Sequence, residues 1–156
     1  MAVEGYELDQ FYSTDGACAL VPCDLPGCAG LGDSFQAAMA AIEPAVPRHL
    51  EMLRQQGLPV PAPRTLSRYY SPEVESDYRR RFPALSLADL LELVQEGGWS
   101  PSGSDGSCRH YLHPTRSGVL TIAGKLSGAV PTLAERSLLG VAGVERQPAR
   151  RRWFGR

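Results

Sequence analysis

The sequence is nearly free of lysine, since Lys125 is the only lysine among 16 basic residues. It also lacks any run of about 20 apolar residues, the length that a membrane-spanning helix needs, so no membrane segment is predicted.

None of the four cysteines in the sequence belongs to a CxxC pair, so the usual zinc-finger spacing is absent. We interpret these cysteines as small buried side chains in a reducing compartment. The acidic start MAVEGYELDQ has no apolar signal-peptide core, and a cytoplasmic location is expected.

Charge is divided unevenly along a chain whose net charge is only −1. Residues 1–63 carry 8 acidic and 2 basic side chains, a net charge of −6. Residues 64–156 carry 9 acidic and 14 basic side chains, a net charge of +5. With 156 residues, of which 43% are hydrophobic, the chain can form one domain or two small ones. The asymmetry favours two units with different roles that attract each other.

The first unit is predicted to begin with short strands. Residues 4–12 have two aromatic side chains near their end, which favours a pleated surface. Residues 17–22 are predicted to return as a second strand after a turn at Gly16. The pair at 26–27, Pro-Gly, suits the centre of a type II turn, because proline fixes φ and glycine accepts the left-handed position. A short third strand is predicted over 28–31.

A long amphipathic helix is predicted next, with Asp33 or Ser34 as its N-cap and Gly57 at its end. Its apolar residues recur at helical spacing: Phe35, Ala38, Ile42, Val46, Leu50 and Leu53. Pro44 and Pro47 interrupt this face, and each removes a helical hydrogen bond. A kink or a break is therefore predicted near these prolines.

The segment between the two units is predicted to be extended and exposed. LPVPAP, residues 58–63, forms a stiff connector, and TLSRYY, residues 65–70, adds a last strand to the first unit. Residues 71–84, SPEVESDYRRRFPA, are predicted to be a surface linker that contains the domain boundary. The predicted division is a first domain over 1–70, the linker over 71–84, a second domain over 85–145 and a basic tail over 146–156.

The second unit is predicted to have the order helix, three strands, helix. Ser86 and Asp89 resemble a capping box for a helix that the glycine pair at 97–98 ends. Thr132 and Glu135 resemble a second capping box, for a helix through about residue 142. Strands are predicted near 99–101, over 107–113 and over 119–123. Together the two units predict an α+β protein.

The first unit resembles the HicB antitoxin family. The resemblance rests on the acidic-Leu-Pro-Gly-Cys turn and the Gly-Asp-Ser helix start in CDLPGCAGLGDSFQAAMAAI, and on the Pro-rich exit GLPVPAP. These motifs occur in the family's order over about residues 5–63, although Pro44 and Pro47 depart from it. The resemblance implies a βββαβ unit with a partial RNase H-like fold. Many HicB proteins carry a DNA-binding segment after this core; we find none here, so operator binding is not expected.

The second unit resembles the HicA toxin family, small bacterial ribonucleases that cut mRNA. The matching pieces are the helix before GGW, then GSCRHYLHP, LTIAG and RSLLGVAGV, over about residues 86–144. The resemblance implies an αβββα fold like that of a double-stranded-RNA-binding domain, and it implies no cofactor. In these families the two proteins are normally separate neighbours that bind each other. The chain therefore resembles a natural fusion of a toxin–antitoxin pair.

The toxin-like unit departs from its family at the residues that RNA cleavage would use. Such cleavage needs a general acid or base near a 2′-hydroxyl, and histidine suits that role near neutral pH. The resemblance places the family's histidine, which follows Gly-Ser directly, at Cys108. A second family histidine aligns with Lys125, and the proline before it aligns with Ala123. Gly103 and Asp105 stand where the family tends to carry basic residues. These departures favour a silenced module, a pseudo-toxin.

His110 is the fallback candidate for catalysis. Strand alternation sorts the side chains here by face: His110 and Leu112 join Cys108, while Arg109, Tyr111 and His113 lie opposite. His110 is therefore displaced by about 6–7 Å from the family position. That is too far for direct replacement, because proton transfer needs hydrogen-bond reach. A metal site built from Cys108, His110 and His113 is not expected, since His113 points away from the other two.

Two basic-aromatic clusters suit single-stranded RNA, because arginine pairs with phosphate and aromatic rings stack on bases. One is YRRRF, residues 78–82. The other lies in the tail and comprises Arg150, Arg151, Arg152 and Trp153. Arg109 and Lys125 are further candidates for RNA contact. The alternative interpretation is a solvated surface and a solubilising tail, or cations bound in cis by the acidic first unit.

The predicted function is a toxin–antitoxin-derived fusion protein with an inactive RNA-cleaving module, which still binds RNA or a partner protein. That partner is a HicA-like toxin or a second copy of the chain. Two alternatives stay open. One is an active, metal-independent endoribonuclease (mRNA interferase) restrained in cis, using His110 with Arg109 or Lys125. The other is a non-catalytic interaction protein that neutralises a separate toxin.

Overall fold

The computed structural model describes residues 2–64 and 72–147. Seven strands and four helices occur within these residues, and the α+β class is confirmed. The strands are β1 Ala2–Val3, β2 Tyr6–Tyr12, β3 Cys18–Pro22, β4 Cys28–Gly32, β5 Ser100–Asp105, β6 Cys108–Leu112 and β7 Leu120–Gly124. The helices are α1 Phe35–Gln55, α2 Pro72–Arg81, α3 Leu87–Glu96 and α4 Thr132–Ala142. The predicted strand over 65–70 and the tail beyond residue 147 lie outside the described residues.

All seven strands form one sheet in the order β1-β2-β3-β4-β7-β6-β5. Neighbouring strands are antiparallel except β4 and β7, which run parallel and join the two halves of the chain. In this pair Cys28 lies opposite Thr121 and Leu31 lies opposite Gly124. The N–H of Thr121 donates to the carbonyl of Gly27 at 2.7 Å. The sheet is therefore continuous across the predicted domain boundary.

Helices cover both faces of the sheet. α1 packs on one face, where buried side chains from both halves form a cluster that includes Leu8, Leu20, Ile42, Val46 and Ala123. α3 and α4 cover the other face, with a cluster that includes Leu31, Leu90, Leu120, Ile122 and Leu138. Because both faces are covered, every residue of β3, β4 and β7 is buried, and these strands are apolar or small throughout.

The predicted turn between β3 and β4 has the geometry that its sequence indicates. Gly27 has φ of +90°, in the region that glycine tolerates. The N–H of Cys28 donates to the carbonyl of Leu25 at 3.3 Å, which closes the four-residue turn. The turn places the start of β4 beside β7.

The long helix α1 begins and ends as predicted but does not break. The Ser34 side chain accepts a hydrogen bond from the N–H of Ala37 at 3.1 Å. Pro44 and Pro47 lie inside one continuous helix, so of the predicted kink or break the break is wrong, and the kink stays a prediction. The carbonyls that these prolines leave without a helical donor belong to Ala40 and Glu43. Both are exposed residues, where water can donate instead.

Two glycines of β4 let α1 lie directly on the sheet. A Cβ atom at Gly30 would be 2.7 Å from the Cβ of Ile42, and one at Gly32 would be 2.5 Å from the backbone nitrogen of Ala38. Real Cβ atoms do not approach other atoms so closely, so a side chain at either position would push the helix away. This close packing brings the buried face of α1 against the β4–β7 pair.

Residues 72–81 form a helix where a surface linker was predicted. The hydroxyl of Tyr78 donates to the carboxylate of Glu135 in α4. The guanidinium of Arg79 donates to the carbonyl of Val130 at 3.2 Å. These contacts attach α2 to the second unit, and they involve residues more than 50 positions apart.

The helices of the second unit differ in how they start. The Ser86 side chain caps α3 by accepting from the N–H of Asp89 at 3.1 Å, as predicted. α4 has Pro131 at its N-cap and no side-chain capping bond, so the capping box predicted at 132–135 is wrong. Thr132 is instead a buried helical residue, and the Glu135 carboxylate binds arginines. No helix in the described part of the chain has the length and apolar content needed to cross a bilayer.

Candidate functional site

Cys108, at the position that the resemblance gives to the toxin histidine, begins β6 and has no exposed surface. It lies opposite Ala123 of β7, within the apolar cluster beneath α1. From α1, Arg48 places its Nη1 atom 3.6 Å from the Sγ atom of Cys108. The thiol is therefore enclosed between the strands of the second half and helix α1 of the first half. A side chain without exposed surface does not contact a nucleotide.

His110 lies two residues further along β6 and is also buried, with 3% of its surface exposed. Its Nδ1 atom is 3.0 Å from the Oγ1 atom of Thr121 in β7. The Nδ1 atom of His49 in α1 lies 2.7 Å from the same oxygen. The Thr121 hydroxyl thus joins one imidazole from each half of the chain.

The single proton of the Thr121 hydroxyl limits the hydrogen-bonding roles that the His49 and His110 rings can have. A threonine hydroxyl carries one proton and so donates to only one of them. The other ring must donate its own Nδ1–H to Oγ1. Burial, and to a lesser extent the neighbouring His110, lowers the pKa of His49 to about 4. His49 is therefore uncharged at neutral pH, and its hydrogen bond to Thr121 joins α1 to β7.

The predicted faces of β6 agree with the structure. Cys108 and Leu112 pack in the cluster beneath α1, and Tyr111 packs in the cluster on the other face. His113 follows the strand, and its Nε2–H donates to the carbonyl of Gly97 at 3.0 Å. Its Nδ1 atom accepts from the N–H groups of the next turn, at 3.1 Å. His113 therefore has a structural role in this loop.

The structure places the predicted partners of His110 in different environments. The guanidinium of Arg109 donates to the carbonyls of Ile122 at 3.3 Å and Gly124 at 3.1 Å, so it is bound to the backbone of β7. Lys125 follows β7 directly and is exposed, in contrast to the buried His110. The tail candidates Arg150, Arg151, Arg152 and Trp153 lie outside the described residues.

Two residues of the basic-aromatic cluster at 78–82, Tyr78 and Arg79, bind to the buried side chain of Glu135. Glu135 is fully buried, and its Oε2 atom accepts from the Nη1 atom of Arg146 at 2.9 Å and from the Tyr78 hydroxyl. Its Oε1 atom is 3.0 Å from the Nη1 atom of Arg79, an ion pair without hydrogen-bond alignment. Burial, and then the bond to Glu135, raises the pKa of Tyr78 to about 12. This network gives Tyr78 and Arg79 a structural role, whereas Arg80 and Arg81 are exposed.

Sequence patterns did not identify the partners in these groups, which are Arg48, His49, Thr121 and Glu135. His49 had a detectable signal, because it lies three residues after Val46 and four before Leu53, on the apolar face of α1. A histidine on such a face is expected to have a buried hydrogen-bond partner. Nothing local identifies Thr121 as that partner.

Neither the models of known protein families nor the curated proteins compared with this sequence match it. Within residues 2–64 and 72–147, no group of three or more His, Cys, Asp or Glu side chains is arranged to hold a metal ion.

Proposed function

We propose that this chain is a toxin–antitoxin-derived protein, HicB-like in its first half and HicA-like in its second, that binds RNA without cutting it. The observation that carries the proposal is the complete burial of Cys108 beneath α1. Cleavage by general acid–base chemistry requires a side chain within hydrogen-bond reach of the reacting 2′-hydroxyl. The position assigned to that side chain holds a thiol instead of an imidazole, and α1 separates it from solvent.

His110 does not compensate for this loss. It is buried under the same helix and bonded to Thr121, so RNA would reach it only if α1 left the sheet. That movement would expose Ile42, Val46 and Leu50, which are buried in the structure. Exposing each large apolar side chain costs about 1.5–3 kcal/mol. The total is several kcal/mol, which favours a permanently covered module.

RNA is favoured over a separate toxin as the partner. The face of α1 and the edge of β4, which belong to the antitoxin-like half, are already occupied by this chain's own β7 and β6. A free toxin using that surface would have to displace them. The second half carries a net charge of +5, and Lys125 and Arg136 are exposed on it. Cations of this kind bind RNA phosphates in a salt-dependent way.

The second candidate is an active ribonuclease restrained in cis. The specific observation in its favour is that α1 covers His110, so that inhibition would be built into the fold. The two candidates differ in one outcome, which is whether the toxin-like half cuts RNA when α1 is absent.

The first experiment uses the purified full chain and a fluorescently labelled single-stranded RNA. We expect no cleavage on a denaturing gel, and we expect binding that weakens steeply between 50 and 200 mM salt, as phosphate contacts do. The proposal would be contradicted if the unmodified chain cleaved the RNA and a Cys108→Ser, His110→Ala double variant did not. Absence of salt-sensitive binding would remove its RNA-binding part.

The second experiment expresses residues 72–156, which keep the contacts of α2 with Glu135, alone in a bacterial host, with circular dichroism of the purified fragment as the control for folding. We expect normal growth and intact bulk mRNA. Growth arrest that His110→Ala abolishes would establish the restrained ribonuclease instead.

A further inference from the structure

A pocket of about 260 Å³ lies where the two halves of the chain meet. Its walls come from the turn after β3, the end of α1, the Pro-rich connector and the loop before β7. Apolar side chains dominate it, including Pro26, Leu53, Pro59, Pro61 and Val119. No charged side chain is among the described residues that line it. A ligand that carries a charge would therefore lose hydration here without gaining a counterion.

One histidine is among the residues that line this pocket. His49 lines it, although only 1% of the residue's surface is exposed. The Nδ1 atom of the ring bonds to Thr121, so Nε2 is the polar atom of this ring that remains for a ligand. Nε2 has no hydrogen-bond partner among the described residues.

The walls are held in place before any ligand binds. The hydroxyl of Tyr6 donates to the carbonyl of Pro61, which fixes the connector against the first strands. The N–H of Arg64 donates to the Oδ2 atom of Asp24 at 2.7 Å, just beyond that wall. On the other side, Gly27 lies so close to Val119 that an added Cβ would be 2.6 Å from its carbonyl oxygen. Because the pocket walls are already ordered, little conformational entropy is lost when a ligand binds.

We infer that this pocket binds a small uncharged aromatic molecule with one hydroxyl group, whose ring packs against the apolar walls while the hydroxyl bonds to Nε2 of His49. The volume suits a single ring, since an apolar cavity of about 150 Å³ is known to accommodate benzene. A hydroxyl both donates and accepts, so it matches whichever tautomer the Thr121 bond imposes on His49. The low pKa of His49 keeps the ring neutral at pH 7, which matches an uncharged ligand.

This inference does not depend on the proposed function. The two halves of the chain both contribute walls, so a bound ligand stabilises the contact between them and raises the melting temperature of the full chain. Ligand binding would thus stabilise the arrangement in which α1 covers β6 and β7.

The experiment titrates the full chain with 4-fluorophenol and, as a matched probe without the hydroxyl, 4-fluorotoluene, followed by fluorine NMR. We expect 4-fluorophenol to bind roughly 3- to 10-fold more tightly, the factor that one net hydrogen bond supplies. In His49→Phe the preference should vanish while 4-fluorotoluene still binds. Equal binding of the two probes to the unmodified chain, or binding of neither, would overturn the inference.

A second variant keeps the test decisive if the change at buried His49 disturbs folding. Ser117 is exposed at the rim of the pocket, and Ser117→Trp should block entry and reduce 4-fluorophenol binding by at least tenfold. Ser102→Trp, on exposed β5 away from the pocket, serves as the control and should bind as the unmodified chain does. Unchanged binding in Ser117→Trp would place the ligand elsewhere and contradict the site.

Discussion

The Nη1 atom of Arg48 lies 3.6 Å from the Sγ atom of Cys108, across 60 positions of the chain. The contact joins the helix of the first half to the first residue of β6, which lies in the second half. Cys108 is thus covered by a charged side chain as well as by the apolar face of α1. The Cys108 thiol is therefore shielded from solvent and from dissolved reagents.

Removing the Arg48 side chain should make Cys108 more reactive. In Arg48→Ala the guanidinium and its alkyl stem no longer cover Sγ, so we expect alkylation of Cys108 by iodoacetamide to accelerate several-fold under native conditions. Mass spectrometry of the digested protein measures the rate for each cysteine. Arg54→Ala is the matched control, because Arg54 is exposed and pairs with Glu51 on the solvent side of the same helix. Equal rates in the two variants would show that Arg48 does not cover the thiol.

The buried His49 should make stability fall in mild acid. Its pKa is lowered to about 4 in the folded state, against 6.5 for an ordinary histidine. Between these values the unfolded chain binds the proton and the folded chain does not, so the free energy of unfolding decreases as the pH falls from 6.5 to 4. The loss amounts to about 3 kcal/mol at most. Urea unfolding at pH 7, 6, 5 and 4.5 measures it.

His49→Phe is the control for that titration. This variant lacks the ionisable ring, so its stability should change less over the same pH range. Parallel pH profiles for the two proteins would assign the acid sensitivity to other groups.

Glu135 should be important for attaching α2 to α4. In Glu135→Gln, Arg79 and Arg146 lose their shared counterion in a largely buried position. Removing one partner from such a group costs about 3 kcal/mol or more in the free energy of unfolding. Urea denaturation measures this, with Arg80→Ala as the control, since Arg80 and its partner Asp77 are both exposed. The control should change stability by less than about 0.5 kcal/mol. Similar losses in both variants would contradict the importance assigned to burial.

Gly124 should tolerate no side chain, because β4 and β7 meet there. It has φ of +99°, and an added Cβ would lie 1.9 Å from the carbonyl oxygen of Leu31. Gly16 has a similar φ of +92° but open space around it. We therefore expect Gly16→Ala to cost about 1 kcal/mol from backbone strain alone, and Gly124→Ala to cost about 3 kcal/mol or more. Thermal unfolding of the two variants compares them directly, and equal shifts would argue against steric conflict between β4 and β7.

Local patterns predicted the starts and ends of several elements, because those depend on groups within a few residues. Ser34 and Ser86 cap their helices, and Gly27 takes the turn position that its neighbour Pro26 indicates. Alternation along β6 likewise placed Cys108 and Tyr111 on opposite faces. In each case the deciding hydrogen bond or side-chain direction is set by the nearby backbone.

Local patterns failed where distant contacts outweigh them. Pro44 and Pro47 do not break α1, because its buried residues pack on the sheet and the freed carbonyls belong to exposed residues. Glu135 does not complete a capping box, because Arg79 and Arg146 bind its carboxylate inside the protein. Both cases follow from tertiary packing, which supplies more free energy than a single helical bond or cap.

The sequence by itself determined the α+β class, the succession of most helices and strands, and the apolar faces that they bury, since periodicity and turn chemistry are local properties. Only the tertiary structure decided that β4 pairs in parallel with β7, that α1 covers Cys108, and that His49 and His110 share the hydroxyl of Thr121. His49 and Thr121 are 72 positions apart, and no pattern within either segment specifies the other. Such pairs form because the continuous sheet and the helix packed on it bring these buried polar groups within hydrogen-bond reach, which is a property of the assembled fold.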